Sequence, residues 1–143
     1  MLVRLMYASR PTAKVDAEAL AAILRKSKEN NPRAGVTGVL CYCANANIFL
    51  QVLEGGRSPV SGLYNRIAQD PRHHEVALLS YEEIGERSFS SWSMGQVNMS
   101  RLNPAVLLKY SESALLDPYA VSGKASLALL NELVATASVN APV

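Results

Sequence analysis

Few side chains of this sequence are suited to chemistry, and the most conspicuous is Gln51, an amide in the middle of an apolar run. The run, Ile48 to Gly55, has the length of a strand and apolar residues on both faces, which is typical of a central strand covered on both sides. Gln51 would then place an amide that can donate two hydrogen bonds and accept two in a covered layer. Two interpretations are open: the amide pairs with backbone groups in the core, or it faces a bound polar ligand.

Tyr7 and the dipeptide Asn30-Asn31 are further polar groups on faces that should be covered. Tyr7 lies on a predicted first strand, Leu2 to Ser9, where a phenol usually bonds a carbonyl in the core. The two asparagines extend the inward-facing stripe of a helix predicted from about Ala17 to Asn31. Taken alone, they are most simply caps of that helix before Pro32, which is expected to stop it.

Nucleophilic, metal and nucleotide chemistry find little support. The two histidines, His73 and His74, are adjacent, which argues against a catalytic triad and gives no metal-ligand spacing, so we interpret them as part of a turn. Cys41 and Cys43 share one face of one strand, a poor geometry for a disulfide or a metal pair, and favour a reducing, cytoplasmic compartment. The sequence has no Gly-x-Gly-x-x-Gly motif and no phosphate loop.

Composition bounds the remaining classes. The chain has 143 residues, of which 49% are hydrophobic and 18% charged, as expected for one globular domain. Its net charge of +2 is spread without a basic block, so nucleic-acid binding is not predicted. The sequence contains no apolar run of the roughly 18–20 residues that span a bilayer. The N-terminal stretch, Met1 to Tyr7, is too short and too patterned for a signal peptide.

The elements that must position these side chains follow the order β-α-β-β-α-β, with one more strand. After the first strand and helix, the pattern predicts four more strands: Val36 to Cys43, Ile48 to Gly55, Val76 to Ile84 and Met94 to Met99. It also predicts a second helix from Pro59 to about Gln69, with Ser58 as its N-cap. This order predicts an α+β, ferredoxin-like sheet with both helices on one face. We expect the Gln51 strand to lie beside the Tyr7 strand and parallel to it.

The C-terminal part of the chain, residues 100–143, is predicted to be a helical extension of the core domain, residues 1–99. Two helices are expected there, about Pro104 to Tyr110 and Gly123 to Ala137. The second is apolar over more than half of its circumference. It is therefore expected to pack on the outer face of the sheet or against another chain.

Five segments in the same order resemble the BLUF domains, blue-light sensors that use flavin. They are Tyr7, Asn30-Asn31 ahead of Gly35-Val-Thr-Gly38, Phe49-Leu-Gln51-x-Leu-Glu-Gly55, Asp70-Pro-Arg-His-His74 and Trp92-Ser-Met94. The resemblance covers residues 1 to about 99 and, more loosely, the C-terminal helices of short stand-alone BLUF proteins. Each motif is weak by itself, but five in the right order and spacing are specific.

The resemblance implies FAD bound between the two helices that flank the sheet. By position, Ile23 and Ile67 are similar to the apolar walls of the flavin slot, and Asn30, Asn31 and Ser27 to its polar lining. Arg66, Asp70 and His73 are similar to residues near the ribityl-phosphate end, where a cation suits a phosphate.

The family mechanism implies a sensor and not an enzyme. Tyr7 gives an electron and a proton through Gln51, whose amide then bonds the flavin differently. Trp92 and Met94 resemble the pair that passes this change to the C-terminal helices, and the expected partners are an unidentified signalling protein and further copies of the chain. The alternatives are a small ferredoxin-like enzyme, flavin-dependent or acylphosphatase-like, and a purely structural interaction module.

Overall fold

The computed structural model describes residues 1–97, 103–135 and 139–140, which form six strands and four helices. In chain order the elements are β1 (Leu2–Pro11), α1 (Ala17–Ala34), β2 (Thr37–Cys43), β3 (Ile48–Gly56), α2 (Arg57–Gln69), β4 (His73–Ile84), β5 (Gly95–Val97), α3 (Pro104–Tyr110), α4 (Gly123–Ala135) and β6 (Val139–Asn140).

All strands join one mixed sheet in the order β4-β1-β3-β2-β5-β6. The pairs β1–β3, β1–β4 and β2–β3 are antiparallel, and β2–β5 is parallel. The predicted ferredoxin-like fold is confirmed, but the parallel pairing of the Tyr7 and Gln51 strands is wrong. The crossover through α1 makes β1 parallel to β2, and the β2–β3 hairpin then reverses the chain, so β3 enters between them antiparallel to both.

The sheet separates two apolar cores, which confirms that α1 and α2 share one face. The inner core, on the side of α1 and α2, combines sheet residues such as Leu5, Phe49 and Leu53 with Leu24 of α1 and Val60 of α2. The outer core joins the opposite sheet face to α3 and α4 and contains these residues, among others: Met6, Cys41, Leu50, Val52, Leu107, Leu129, Leu130 and Leu133. The apolar C-terminal helix therefore packs on the outer face, one of its two predicted positions.

Helix α1 begins as predicted and ends later. The Asp16 carboxylate accepts from the Ala19 amide at 2.7 Å and caps its first turn. Pro32 does not stop the helix, which continues to Ala34. A proline this close to the end removes few helical bonds, and Gly35, at φ 69°, ends the helix by donating to the Asn31 and Pro32 carbonyls.

The predicted starts of α2 and β4 are also corrected. Helix α2 begins at Arg57 with Gly56 as its N-cap, and no side chain, including that of Ser58, caps it. His73 and His74 belong to β4 and not to a turn, because the long β1 strand pairs Pro11 with His73.

At the end of the core, β5 begins at Gly95, after Met94, and its predicted end at Met99 lies outside the described residues. The predicted end of α4 at Ala137 also lies outside them, and the short strand β6, which pairs with β5, was not predicted. None of the helices in the described ranges is long and apolar enough to cross a membrane.

Candidate functional site

A cleft of about 770 Å³ opens between α1, α2 and the inner face of the sheet. All ten residues predicted to bind a cofactor line it: Tyr7, Ile23, Ser27, Asn30, Asn31, Gln51, Arg66, Ile67, Asp70 and His73. They come from β1, α1, β3, α2 and the start of β4, so the fold assembles one site from positions that are distant in sequence.

Tyr7 and Gln51 form the floor of the cleft. They are direct cross-strand partners on β1 and β3, with exposed fractions of 2% and 6%, and the phenol of Tyr7 donates a hydrogen bond to Oε1 of Gln51. Burial, and to a smaller extent the phenol of Tyr64, raises the pKa of Tyr7 well above its usual value of about 10. The phenol therefore remains protonated, and its proton already points at the amide oxygen.

Met94 and Trp92 lie on opposite sides of the sheet. Met94 is fully buried in the inner core, and its sulfur accepts a hydrogen bond from Nε2 of Gln51 at 3.2 Å. Trp92 packs against the outer core, where its indole N–H is buried without a hydrogen-bond partner among the described residues. Of this predicted pair, only Met94 contacts the residues of the cleft floor.

Asn31 ties the end of α1 to the segment before β5. Its backbone carbonyl accepts from the Val36 amide at 2.9 Å, just beyond the Gly35 cap of the helix. Its side-chain amide donates to the carbonyl of Ser93 at 2.8 Å. Asn31 is buried, whereas Asn30, at the cleft surface, is exposed. The asparagine pair therefore lies inside α1 and lines the cleft, and Gly35, not an asparagine, caps the helix end.

The walls of the cleft are apolar. Ile23 of α1 is 37% exposed and lines the cavity together with Ile67 of α2. Leu63 and Phe49 add apolar surface that was not predicted as part of the site. An open slot between apolar walls above a polar floor fits a flat aromatic ring system with a polar edge, as in a flavin.

The rim of the cleft carries most of its charge. The Arg72 guanidinium donates to the Asp70 carboxylate at 2.6 Å and holds the pKa of Asp70 well below its usual range. Arg66 lines the same rim, and so do two lysines that were not predicted, Lys14 and Lys26. Lys26 lies three residues after Ile23 and four before Asn30, so helical spacing alone would have found it.

His73 joins the rim to the floor. Its Nδ1 is 3.0 Å from the hydroxyl of the buried Ser9, and its ring lies 5.7 Å from that of Phe49. Burial lowers the pKa of His73. The Arg72 cation lowers this pKa further, and the Asp70 carboxylate acts in the opposite direction. The ring is therefore held largely neutral near pH 7.

The chemistry available in the cleft is the transfer of electrons and protons. In the described ranges, no group of three or more histidine, cysteine or acidic side chains is placed to hold a metal ion. The arrangement has a redox-competent phenol, an amide that can reverse its donor and acceptor ends, and a sulfur acceptor beyond it. The phenol, the amide and the sulfur together can rearrange their hydrogen bonds around a ligand bound in the cleft.

Comparisons with known proteins agree with this geometry. Photoactivated adenylate cyclase subunit beta of Euglena gracilis is 35% identical over 94 residues, which are 65% of this chain and 10% of that protein. The blue light- and temperature-regulated antirepressor BluF of Escherichia coli K12 is 30% identical over 94 residues, or 66% of this chain and 23% of that protein. The chain thus spans a tenth of the cyclase subunit and under a quarter of the antirepressor.

Two solved structures match over nearly their whole length. The photo-activated state of BlsA shares 33% identity at a TM-score of 0.80, over 94% of this chain and 95% of that one. The dark state of BlrB, a BLUF protein, shares 32% identity at a TM-score of 0.78, over 95% and 96%. Residues 2–95 match the family model of BLUF, the sensors of blue light using FAD. This is a sensor family, as predicted. The chain belongs to the BLUF family of blue-light photoreceptors that use FAD.

Proposed function

We propose that FAD binds in the cleft between α1 and α2, and that blue light drives the transfer of an electron and a proton from Tyr7 through Gln51. The observation that carries this proposal is the buried row of Tyr7, Gln51 and Met94, in which the amide of Gln51 uses its oxygen on one side and its nitrogen on the other. Tyr7 and Gln51 of this row form the floor of a cleft whose size and lining suit a flavin.

The lining residues divide into three binding groups. Ile23 and Ile67 would enclose the flavin rings, and Ser27, Asn30 and Asn31 would face their polar edge. At the rim, the cations Arg66 and Arg72 suit a pyrophosphate, and Lys14 and Lys26 extend the same positive edge. His73 and Asp70 would complete this end. The opposition between an apolar wall and a cationic rim supports a ligand with an aromatic ring at one end and phosphates at the other.

Bound FAD would supply the light absorption and the electron acceptor. Tyr7 would supply the electron, and its phenolic proton would leave along the existing hydrogen bond to Gln51. The raised pKa of Tyr7 keeps the proton in place in the dark, so its transfer waits for loss of the electron. Both the electron and the proton return to Tyr7, so nothing is turned over. The amide of Gln51 is left in a changed hydrogen-bond arrangement, by rotation or tautomerisation.

The signal would leave the cleft through the segment before β5. Met94 contacts Gln51, and β5 pairs with β2 and leads toward α3 and α4. Trp92 packs against the outer core, and its buried indole N–H has no hydrogen-bond partner within residues 1–97, 103–135 and 139–140, so a small change in this segment would alter its surroundings. We therefore place Trp92 and Met94 together in the output path.

The partner would be another protein that reads the outer face, in a homodimer or larger homo-oligomer. Relatives named for a photoactivated adenylate cyclase and an antirepressor support an output through a second domain or protein. Cys41 and Cys43 are thiols and not a disulfide, which fits a cytoplasmic location.

An absorption spectrum before and after blue light tests the proposal. The purified protein should be yellow, release FAD on denaturation, and show a small red shift that reverses in the dark. A colourless sample without released flavin would overturn the cofactor assignment. A yellow sample without a reversible shift would leave flavin binding and remove the switch of Tyr7 and Gln51.

A further inference from the structure

A buried carboxylate stands outside the cleft and has no part in the proposed photochemistry. Glu54 lies on β3, three residues after Gln51 and on the opposite face of the strand, and it is fully buried. Its two oxygens accept from the backbone amides of Phe89 at 2.7 Å and Ser88 at 3.0 Å, and from Nε of Arg4 at 2.8 Å. A buried charge is retained only with such partners, so these bonds strongly fix the Ser88–Phe89 backbone.

A second charged side chain holds the same loop, residues 85–93, from its own side. The Arg87 guanidinium donates to the carbonyl of Gly35 at 2.7 Å and to the hydroxyl of Thr37 at 2.9 Å. Glu54 therefore fastens the loop to β3, and Arg87 fastens it to the end of α1 and the start of β2. We call these two residues and their bonds the Glu54–Arg87 clamp.

The loop held by the clamp runs directly into the residues that reach the cleft. The Trp92 carbonyl accepts from the Gly38 amide at 3.0 Å, and the Ser93 carbonyl accepts from the Asn31 side chain. Met94 follows, with its sulfur on Nε2 of Gln51. The position of the sulfur thus depends on where the loop is fixed, and both Gln51 and the loop are fixed on the same strand, β3.

We propose that Glu54 and Arg87 are positioning residues of the photoreceptor, which hold loop 85–93 so that Met94 meets the amide of Gln51 in its dark arrangement. This inference rests on the proposed function, because it assigns the clamp a role in the switch of Gln51. Its physical basis is that neither Glu54 nor Arg87 lines the cleft, and each bonds the loop or its neighbours through a charge-assisted hydrogen bond.

The proposal predicts a kinetic effect that is separate from flavin binding. When the clamp is weakened, Met94 is held less firmly, and the dark arrangement loses part of its advantage over the lit one. We expect the FAD-loaded Arg87→Met variant to keep the red shift and to return to the dark state more slowly by about threefold or more. Hydrogen exchange of the amides of Ser88 and Phe89 should become faster.

Arg57→Met is the matched control, since Arg57 forms an ion pair with Glu83 of β4 and its hydrogen bonds go to residues outside the loop. It should leave both readouts at their wild-type values. Glu54→Gln is the second test variant, because it replaces an acceptor with an N–H group facing the amides of Ser88 and Phe89. If this buried substitution prevents folding, Arg87→Met decides the question.

A recovery rate for Arg87→Met within about twofold of that of the Arg57→Met control would overturn the positioning role. Loss of the red shift with flavin retained would also overturn it, because Arg87 would then act in the switch itself. Failure of the wild type to show any red shift would instead overturn the proposed function, so the two failures are distinguishable.

Discussion

The amide nitrogen of Gln51 donates to the sulfur of Met94 at 3.2 Å, while the amide oxygen faces the phenol of Tyr7. A thioether can accept a hydrogen bond and cannot donate one, so Met94 favours the orientation in which the nitrogen points toward it. Tyr7 can serve either as donor or as acceptor. Met94 is therefore the partner that sets the direction of the amide, and a reversed amide would place its oxygen against the sulfur without a hydrogen bond.

Replacing Gln51 with leucine tests the amide itself. Gln51→Leu should keep FAD bound, because the walls and the rim of the cleft are untouched, and it should abolish the red shift. Absorption before and after blue light is the measurement. The matched control is Gln69→Leu, the same substitution at an exposed position at the end of α2. A normal red shift in Gln51→Leu would remove the amide from the switch.

Replacing Tyr7 with phenylalanine tests the phenol. Tyr7→Phe leaves Oε1 of Gln51 without its donor, which should lower the free energy of unfolding by about 1–3 kcal/mol, and should eliminate the reversible red shift. Tyr64→Phe is the control, because the Tyr64 ring lies 5.5 Å from that of Tyr7 and does not line the cleft. Equal loss of the light response in both variants would show that the effect is not specific to the phenol of Tyr7.

The candidate site was predictable from the sequence to the extent that strand and helix periodicity place side chains on faces. Gln51, Tyr7 and Asn31 stood out as polar groups on covered faces, and the structure brings all three to one cleft. Which of Trp92 and Met94 contacts the cleft floor could not be predicted. Both precede β5 in an irregular segment, where the period-two alternation of a strand does not apply.

The boundaries that were wrong depend on long-range contacts. Pro32 reads as a stop, but Gly35 in the left-handed region is what ends α1, and only the folded backbone shows its φ. In the sequence, His73 follows Pro71 closely and is therefore predicted to lie in a turn. In the structure it pairs with Pro11 of β1 and belongs to β4. The clamp of Glu54 was invisible because its partners are backbone amides 34 and 35 residues away.

The lowered pKa of His73 predicts a pH dependence of stability. The folded state disfavours the imidazolium, so the unfolded chain binds more protons below its pKa of about 6.5, and the free energy of unfolding falls as the pH drops through that value. Denaturant unfolding between pH 7.5 and 5.5 measures the slope. His73→Gln should flatten it, whereas His74→Gln, at an exposed neighbour, leaves the contact of His73 with Ser9 intact. A slope of opposite sign would show that a bound anion raises the pKa of His73 instead.

Gly123 fixes the start of α4 against β4. A Cβ atom at this position would lie 2.4 Å from the carbonyl oxygen of Leu79, which is backbone and has little room to move. Gly123→Ala should lower the free energy of unfolding by about 1–3 kcal/mol, as overpacking does, by pushing α4 away from the sheet. Gly85→Ala, where a Cβ meets nothing within 4 Å, should not destabilise the protein. Equal unfolding midpoints for the two variants in urea would contradict the close packing of α4.

Replacing Met94 with leucine separates the hydrogen bond of the sulfur from its packing. Met94→Leu conserves most of the volume in the inner core, so the loss of stability should stay below about 1.5 kcal/mol. It removes the acceptor of Nε2, so the amide of Gln51 loses its directional preference. The dark spectrum should move toward that of the lit form, and the light-induced difference should shrink.

The matched control for that substitution is Met6→Leu. Met6 is also fully buried, but it lies in the outer core, on the face of the sheet opposite to the side chain of Gln51. Its variant should keep both the dark spectrum and the full light-induced difference. If Met94→Leu kept both as well, the orientation of the amide would have to be set by Tyr7 or by the flavin, because no acceptor would remain on its nitrogen side.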